Sequence, residues 1–203
     1  MATQDVTIFD DTNTKSVSIV TDSTTERLAV DAKITSISTY LDNEVTYSIE
    51  QGKAYISTGS YATLAANSTM TIMITTPATN YIHMRDMTVN ITKSGASVAT
   101  LARFWGSSTT STAGTSNPIY NLNRVTTNTS NVLIGIDPTI TSTGTKLMEV
   151  VTHTDWETYL APSYTSPFKW ILKQNTKYLL QLVNPSNQAI TFTWFLFWLE
   201  EEH

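Results

Sequence analysis

The chain has 203 residues, 14% of them charged, a formal net charge of −5 and no cysteine. An acidic balance with no Lys/Arg cluster argues against nucleic acid as a partner, and the lack of cysteine excludes disulfides, thiolate metal sites and cysteine nucleophiles. Thr and Ser together exceed a quarter of the chain, a composition that suits the solvent faces of pleated sheets, so one all-β domain with an extension is expected.

The opening MATQDVTIFDD has neither the basic start nor the apolar run of a signal peptide. The longest apolar stretch, near the C-terminus, runs for about ten residues against the roughly 20 that a membrane helix needs. Neither general secretion nor a membrane partner is expected.

In chain order, short runs rich in Val, Ile, Thr, Tyr and Phe, bounded by Asn, Asp, Gly, Pro and Ser, predict strands. They fall at Val6–Phe9, Ser16–Val20, Leu28–Thr35, Val45–Ile49, Ala54–Thr58, Met70–Thr76, Ile82–Thr92, Ala99–Trp105, Val132–Ile136, Leu147–His153, Tyr178–Val183 and Ile190–Leu199. Many short strands with polar turns indicate an antiparallel β-sandwich or jelly roll. No long helical period interrupts them.

Residues 1–36 differ from the rest. Their apolar positions are sparse (Val6, Ile8, Val17, Ile19, Leu28, Val30, Ala32, Ile34), and Phe9 is the only aromatic. Such a segment has too little apolar mass for its own core and needs a neighbour's surface to order it. It is expected to be an arm for attachment or oligomerisation, with Val6, Ile8, Val17, Ile19, Leu28 and Val30 as its contacts, leaving residues 37–203 as the sandwich. The polar tracts GSSTTSTAGTSN (106–117) and TTNTSN (126–131) read as rim loops; the first lacks the pattern of a phosphate cradle.

The last strand poses the main question. Extended geometry puts Ile190, Phe192, Trp194, Leu196 and Trp198 on one face and Thr191, Thr193, Phe195, Phe197 and Leu199 on the other. Both faces are apolar at the C-terminal end and both need cover. The sandwich covers one. Sibling copies are expected to cover the other, which makes Phe195, Phe197, Leu199 and Trp198 an oligomer interface, each buried Phe contributing about 1.5–3 kcal/mol. Asn184-Pro185-Ser186-Asn187 reads as the turn of a hairpin joining Lys177–Val183 to Ile190–Leu199, with Glu200, Glu201 and Glu202 stopping the strand and keeping its exit soluble.

Chemical constellations are sparse. His153, Asp155 and Glu157 would share one face of an extended segment and offer a histidine and two carboxylates to a divalent cation; alternating polar residues on a solvent-facing edge give the same pattern. Asp155 and Glu157 are also the only carboxylate pair to nominate for glycan hydrolysis. His83-Met84-Arg85-Asp86 lacks a nucleophile motif and reads as a strand histidine with a surface ion pair. Asp10-Asp11-Thr12-Asn13 lacks the Gly and distal Glu of an EF-hand loop and reads as a turn. Asn67, Asn90 and Asn128 match a glycosylation pattern that a Thr- and Ser-rich chain produces by chance. Trp156, Tyr159 and Tyr164 could stack on sugar rings of a host glycan, although tryptophan is more often core. No catalytic residue, metal or cofactor is expected.

Four segments carry a resemblance. PIYNLNR (118–124), GTKLMEVV (144–151), FKWILKQNTKYLLQLVN (168–184) and the aromatic closing strand resemble, in that order, structural proteins of tailed bacteriophage virions. ERLAVDAKITS (26–36) and TPATNYIHMRDMTV (76–89) extend the likeness upstream. THTDWETYLAPSYTSP (152–167) stands where such proteins often have a Gly-rich loop. The resemblance implies a jelly-roll-like domain, usually a homotrimer, on the outer surface of the head as a decoration protein or fibre, or in the tail. The major capsid protein or another virion protein would be its partner. One compact domain with an arm and no fibre repeat points to the head.

Overall fold

The computed structural model describes residues 4–9, 14–19, 37–92, 99–153, 157–159 and 170–202. The chain divides into two compact units, Met1–Asp42 and Asn43–His203. In the first, β1 (Gln4–Phe9) and β2 (Thr14–Ile19) form an antiparallel pair with Val6 opposite Val17, Gln4 opposite Ile19 and Ile8 opposite Lys15. Val6, Ile8, Val17 and Ile19 therefore share one parity of the ladder. Leu28 and Val30, with the strand expected at 28–35 and the turn at 10–13, lie outside the described residues.

Helix α1 (Ile37–Glu50) stands where a strand was expected at Val45–Ile49. That stretch is built from strand formers. Nevertheless Val45 and Ile49, one helical turn apart, pack on the apolar cluster of Ala54, Phe197 and Leu199, while Tyr47 is 63% exposed. Tertiary cover overrides local preference. A Schellman turn ends the helix: Lys53 N–H donates to Ser48 O at 2.8 Å and Gly52 N–H to Ile49 O at 2.9 Å, with Gly52 at φ +68°. The unit division accordingly lies at 42/43, within the helix, rather than at 36/37.

Among the described residues fourteen further strands follow. They are β3 (Ala54–Leu64), β4 (Ser68–Thr75), β5 (Asn80–Thr92), β6 (Ala99–Gly106), β7 (Thr109–Thr110), β8 (Thr115–Ser116), β9 (Tyr120–Asn121) and β10 (Leu133–Ile136), then β11 (Ile140–Ser142), β12 (Thr145–His153), β13 (Glu157–Tyr159), β14 (Trp170–Leu172), β15 (Lys177–Asn184) and β16 (Ile190–Glu202). Their pairing is nested: β3 with β16, β4 with β15, β5 with β13 and β14, β6 with β12. The strands of the second unit thus form one long antiparallel hairpin. Contacts of β16 with β5 and of β15 with β6 then roll that hairpin into two sheets. One runs β12-β6-β15-β4-β10-β8; the other runs β13-β5-β16-β3-β9, with β14 also on β5. This wrapped hairpin is the jelly-roll topology, and the all-β sandwich read from the sequence is the fold.

The polar segment at the hairpin's tip is ordered. β10 adds to the edge of β4 and β9 to the edge of β3, and β7 pairs with β11. Two inner edges that would otherwise invite a foreign strand are thereby closed.

Between the sheets lie Ile72, Ile74, Phe104, Leu180 and Leu182 from one side and Met84, Val89, Phe192, Trp194, Leu196 and Trp198 from the other. Within each sheet aromatic rings of neighbouring strands stack in this layer, Tyr55 on Trp198 at 6.2 Å and Phe104 on Tyr178 at 5.7 Å. Gly59 has no side chain because the Trp194 indole lies there: a Cβ would stand 2.0 Å from the ring.

The expected hairpin of β15 and β16 does not form, because the two strands are central in opposite sheets. Asn184 makes the crossover. It is fully buried, and its Nδ2 donates to Leu64 O at 3.2 Å, Ala65 O at 3.0 Å and Gln188 O at 2.8 Å. A side chain bonded that way bridges the layers instead of tightening a two-strand turn.

Candidate functional site

The faces of β16 are as the alternation predicts, but their cover is not. Trp198 belongs to the inter-sheet core. Phe197 and Leu199 point the other way into a second cluster, with Ala54 and with Val45, Ile49, Ile56, Leu122 and Phe195 packed against it. Phe197, Trp198 and Leu199 are 0% exposed within one chain. The shield on the outer face is therefore α1, and the reading of these three as sibling contacts is corrected. Phe195 alone of the four is only partly buried.

Local chain geometry then sets charged groups beside the helix. Phe197 pairs with Asp86 and Trp198 with Met84, so Arg85 is the extra residue of a bulge on β5. Arg85 makes an ion pair with Glu44 of α1. One step along, His83 pairs with Leu199, and its Nε2 lies 3.4 Å from a Glu201 carboxylate oxygen. One ligand atom each from Glu44, His83 and Glu201 fall within 4.8 Å of one another. Three elements, α1, β5 and β16, thus converge on one small polar cluster. The His83 to Asp86 stretch is indeed a strand with an ion pair, but the partners Glu44 and Glu201 were invisible to local sequence reading. Helix and bulge together create them.

A second polar place closes the end of the sandwich. β16 does not stop at Leu199 but runs through Glu202, and Glu200 continues the inward parity of Trp198. It is 3% exposed, which corrects its expected role as a solubilising exit. Its carboxylate accepts the Asn131 N–H at 3.2 Å, the Trp198 Nε1–H at 3.2 Å, the Ser130 hydroxyl and, at 3.5 Å, the Asn80 amide. A buried carboxylate needs such donors. Here they pin the 126–131 tract to the sheet. Burial raises the Tyr55 pKa above the ordinary tyrosine value, and the charge of Glu200 raises it further. An open polar cavity of about 400 Å³ lies above this floor, lined by Lys53, Tyr55, Asn80, Asn128, Thr129 and Asn131 among others.

The PIYNLNR motif has a mechanical explanation. Leu122 N–H donates to Ala54 O at 2.9 Å, Asn123 Nδ2 to Glu50 O at 2.9 Å and Asn121 Nδ2 to Gly52 O at 2.8 Å. Asn128 Nδ2 reaches Gln51 O at 3.3 Å. The Asn123 amide thus satisfies the final carbonyl of α1, which no residue inside the helix can reach, and the other bonds fasten the turn that follows it. The motif holds the helix end against the sheet.

The remaining sequence candidates are not brought together. His153 ends β12 in one sheet and Glu157 opens β13 in the other, so they do not share a face of one strand; Asp155 lies outside the described residues. Trp156 and Tyr164 also lie outside them, and Tyr159 stands in β13 opposite Thr88. Among the described residues no helix is long and apolar enough to cross a membrane. A scan against protein-family models and a search of curated proteins both return no match.

Proposed function

We propose that the chain is a non-enzymatic structural component of a tailed-phage virion, a decoration protein of the capsid surface that binds the particle through its N-terminal unit. The observation that carries this reading is the β1-β2 pair, a two-stranded ladder in a unit separate from the jelly roll. Two strands alone are marginal in water and gain order from a partner's surface. The jelly roll suits the rest, being a fold that viral capsid and lectin domains share, and the sequence segments resembling virion proteins include the PIYNLNR clamp and β16. A homotrimer follows from that resemblance, no longer from the aromatic strand, and multivalency would strengthen attachment by a weak arm.

The test is truncation. Deleting residues 1–36 spares α1 and the apolar cluster of Ala54, Phe197 and Leu199 with Val45 and Ile49, so the product should fold, with unchanged near-UV circular dichroism, and should lose co-sedimentation with undecorated particles. Full retention of particle binding by that folded product would refute attachment through the arm. The second reading, a receptor-binding component contacting host carbohydrate, draws on the polar cavity beside Glu200, a setting of amides and hydroxyls suited to sugar hydroxyls. Specific glycan-array binding abolished by Asn128→Ala would favour it over attachment alone.

A further inference from the structure

We infer that Glu44, His83 and Glu201 form a binding site for a divalent transition cation of the zinc type, which clips helix α1 to the sheet it covers. Imidazole and carboxylate oxygen are the ligands such ions accept, at about 2.0–2.2 Å. Two ligands at those distances in tetrahedral geometry stand about 3.3 Å apart. The His83 Nε2 to Glu201 separation of 3.4 Å matches that spacing, and Glu44 completes a triangle whose ligand atoms lie within 4.8 Å of one another.

Electrostatics supports a cation at the centre. Two carboxylates this close repel each other unless positive charge lies between or beside them. Arg85 supplies one such charge, ion-paired with one oxygen of Glu44. A charged partner of this kind orients a ligating carboxylate. Exposure is graded in the same sense. The His83 side chain is 10% exposed, Glu44 27% and Glu201 43%, so the cluster has a closed floor and an open mouth through which a metal enters and water fills remaining positions.

The three ligands come from three elements that only the folded jelly roll brings together, so a bound ion stabilises the folded state. Its particular effect is on α1, the cover over Phe197 and Leu199. Magnesium and calcium, which prefer sites made of oxygen alone, fit poorly here.

Isothermal titration of chelator-treated, tag-free full-length protein with ZnCl2 tests the site. One zinc ion per chain is expected, with a rise in Tm that MgCl2 does not reproduce. Glu201→Gln, at a half-exposed position that tolerates change, should weaken binding at least tenfold and abolish the Tm rise; His83→Ala should do the same if it folds. His153→Ala should leave both intact. No saturable binding, binding unchanged in Glu201→Gln, or binding removed by His153→Ala would each overturn the inference.

Discussion

Replacing Phe197 by Ala separates the two explanations of the greasy outer face of β16. Phe197 is fully buried inside one chain, against Ala54 and Leu199 with Val45 and Ile49 of α1 above it. Removing its ring forfeits about 1.5–3 kcal/mol of transfer free energy, and the cavity left under a helix held at its end by Asn123 and Gly52 collapses only in part. The sum falls in the range of about 3–5 kcal/mol found for such truncations. In a unit of this size that lowers Tm by roughly 6–20 °C. Urea unfolding followed by tryptophan fluorescence, repeated over a hundredfold range of protein concentration, measures it. An intramolecular cover makes the loss independent of concentration, whereas an intersubunit cover makes it shrink as dilution dissociates the wild type. A loss below about 1 kcal/mol, or one that varies with concentration, would refute the assignment of α1 as the shield.

Two more outcomes follow from the end of the sandwich. Glu200→Gln keeps the shape but removes the charge that strengthens the bonds from Ser130, Asn131 and Trp198; a loss of about 1–3 kcal/mol in urea unfolding is expected, with faster hydrogen exchange at the Asn131 amide. Unchanged exchange there would show that Glu200 does not hold the loop. Burial raises the pKa of both Tyr55 and Tyr178 in the folded state. The contribution is whole below the unfolded value of about 10 and is lost as pH rises from there through the folded values. Stability should therefore fall above about pH 10, and Tyr55→Phe should make that fall shallower; a decline of equal steepness in the variant would refute the assignment.

The strands were legible because their signal is local. Alternation and turn residues place β4, β5, β6, β12, β15 and β16 within a few residues, while β3 starts at the expected Ala54 and runs on past Thr58 to Leu64. Helix α1 was legible in principle: Ile37, Leu41, Val45 and Ile49 recur every four residues and Gly52 stands where a helix stop belongs. Strand-forming Val, Thr, Tyr and Ile masked that period. The partnership of β15 and β16 was not legible, since two consecutive apolar strands suit a hairpin and a sheet-to-sheet crossover equally. What decides is the buried amide of Asn184, whose partners Leu64 and Ala65 are over a hundred residues away. The Glu44, His83 and Glu201 cluster depends on the bulge at Arg85, for which no sequence rule exists.

The covered face also redirects the question of self-association. On the second sheet, α1 closes the apolar patch around Phe197. The outer face of the first sheet is mixed: Arg103 stands opposite both Gln181 and Glu149 and is ion-paired with Glu149, which Lys146 approaches at 3.3 Å, and two residues along on the same face Leu101 stands opposite both Val151 and Val183. Those cations hold the Glu149 carboxyl below the usual carboxylate range, as on a wetted surface. Exposed Leu147 and Val151 both lie on β12, with Leu133 on β10 of the same sheet and Ile171 on β14 of the other. The surfaces left to a trimer among the described residues are this mixed face, the sheet edges, the loops and the N-terminal unit. The last would join attachment and assembly in one element, and the 1–36 deletion reads both at once, since its mass by light scattering reports the oligomer while sedimentation reports the particle.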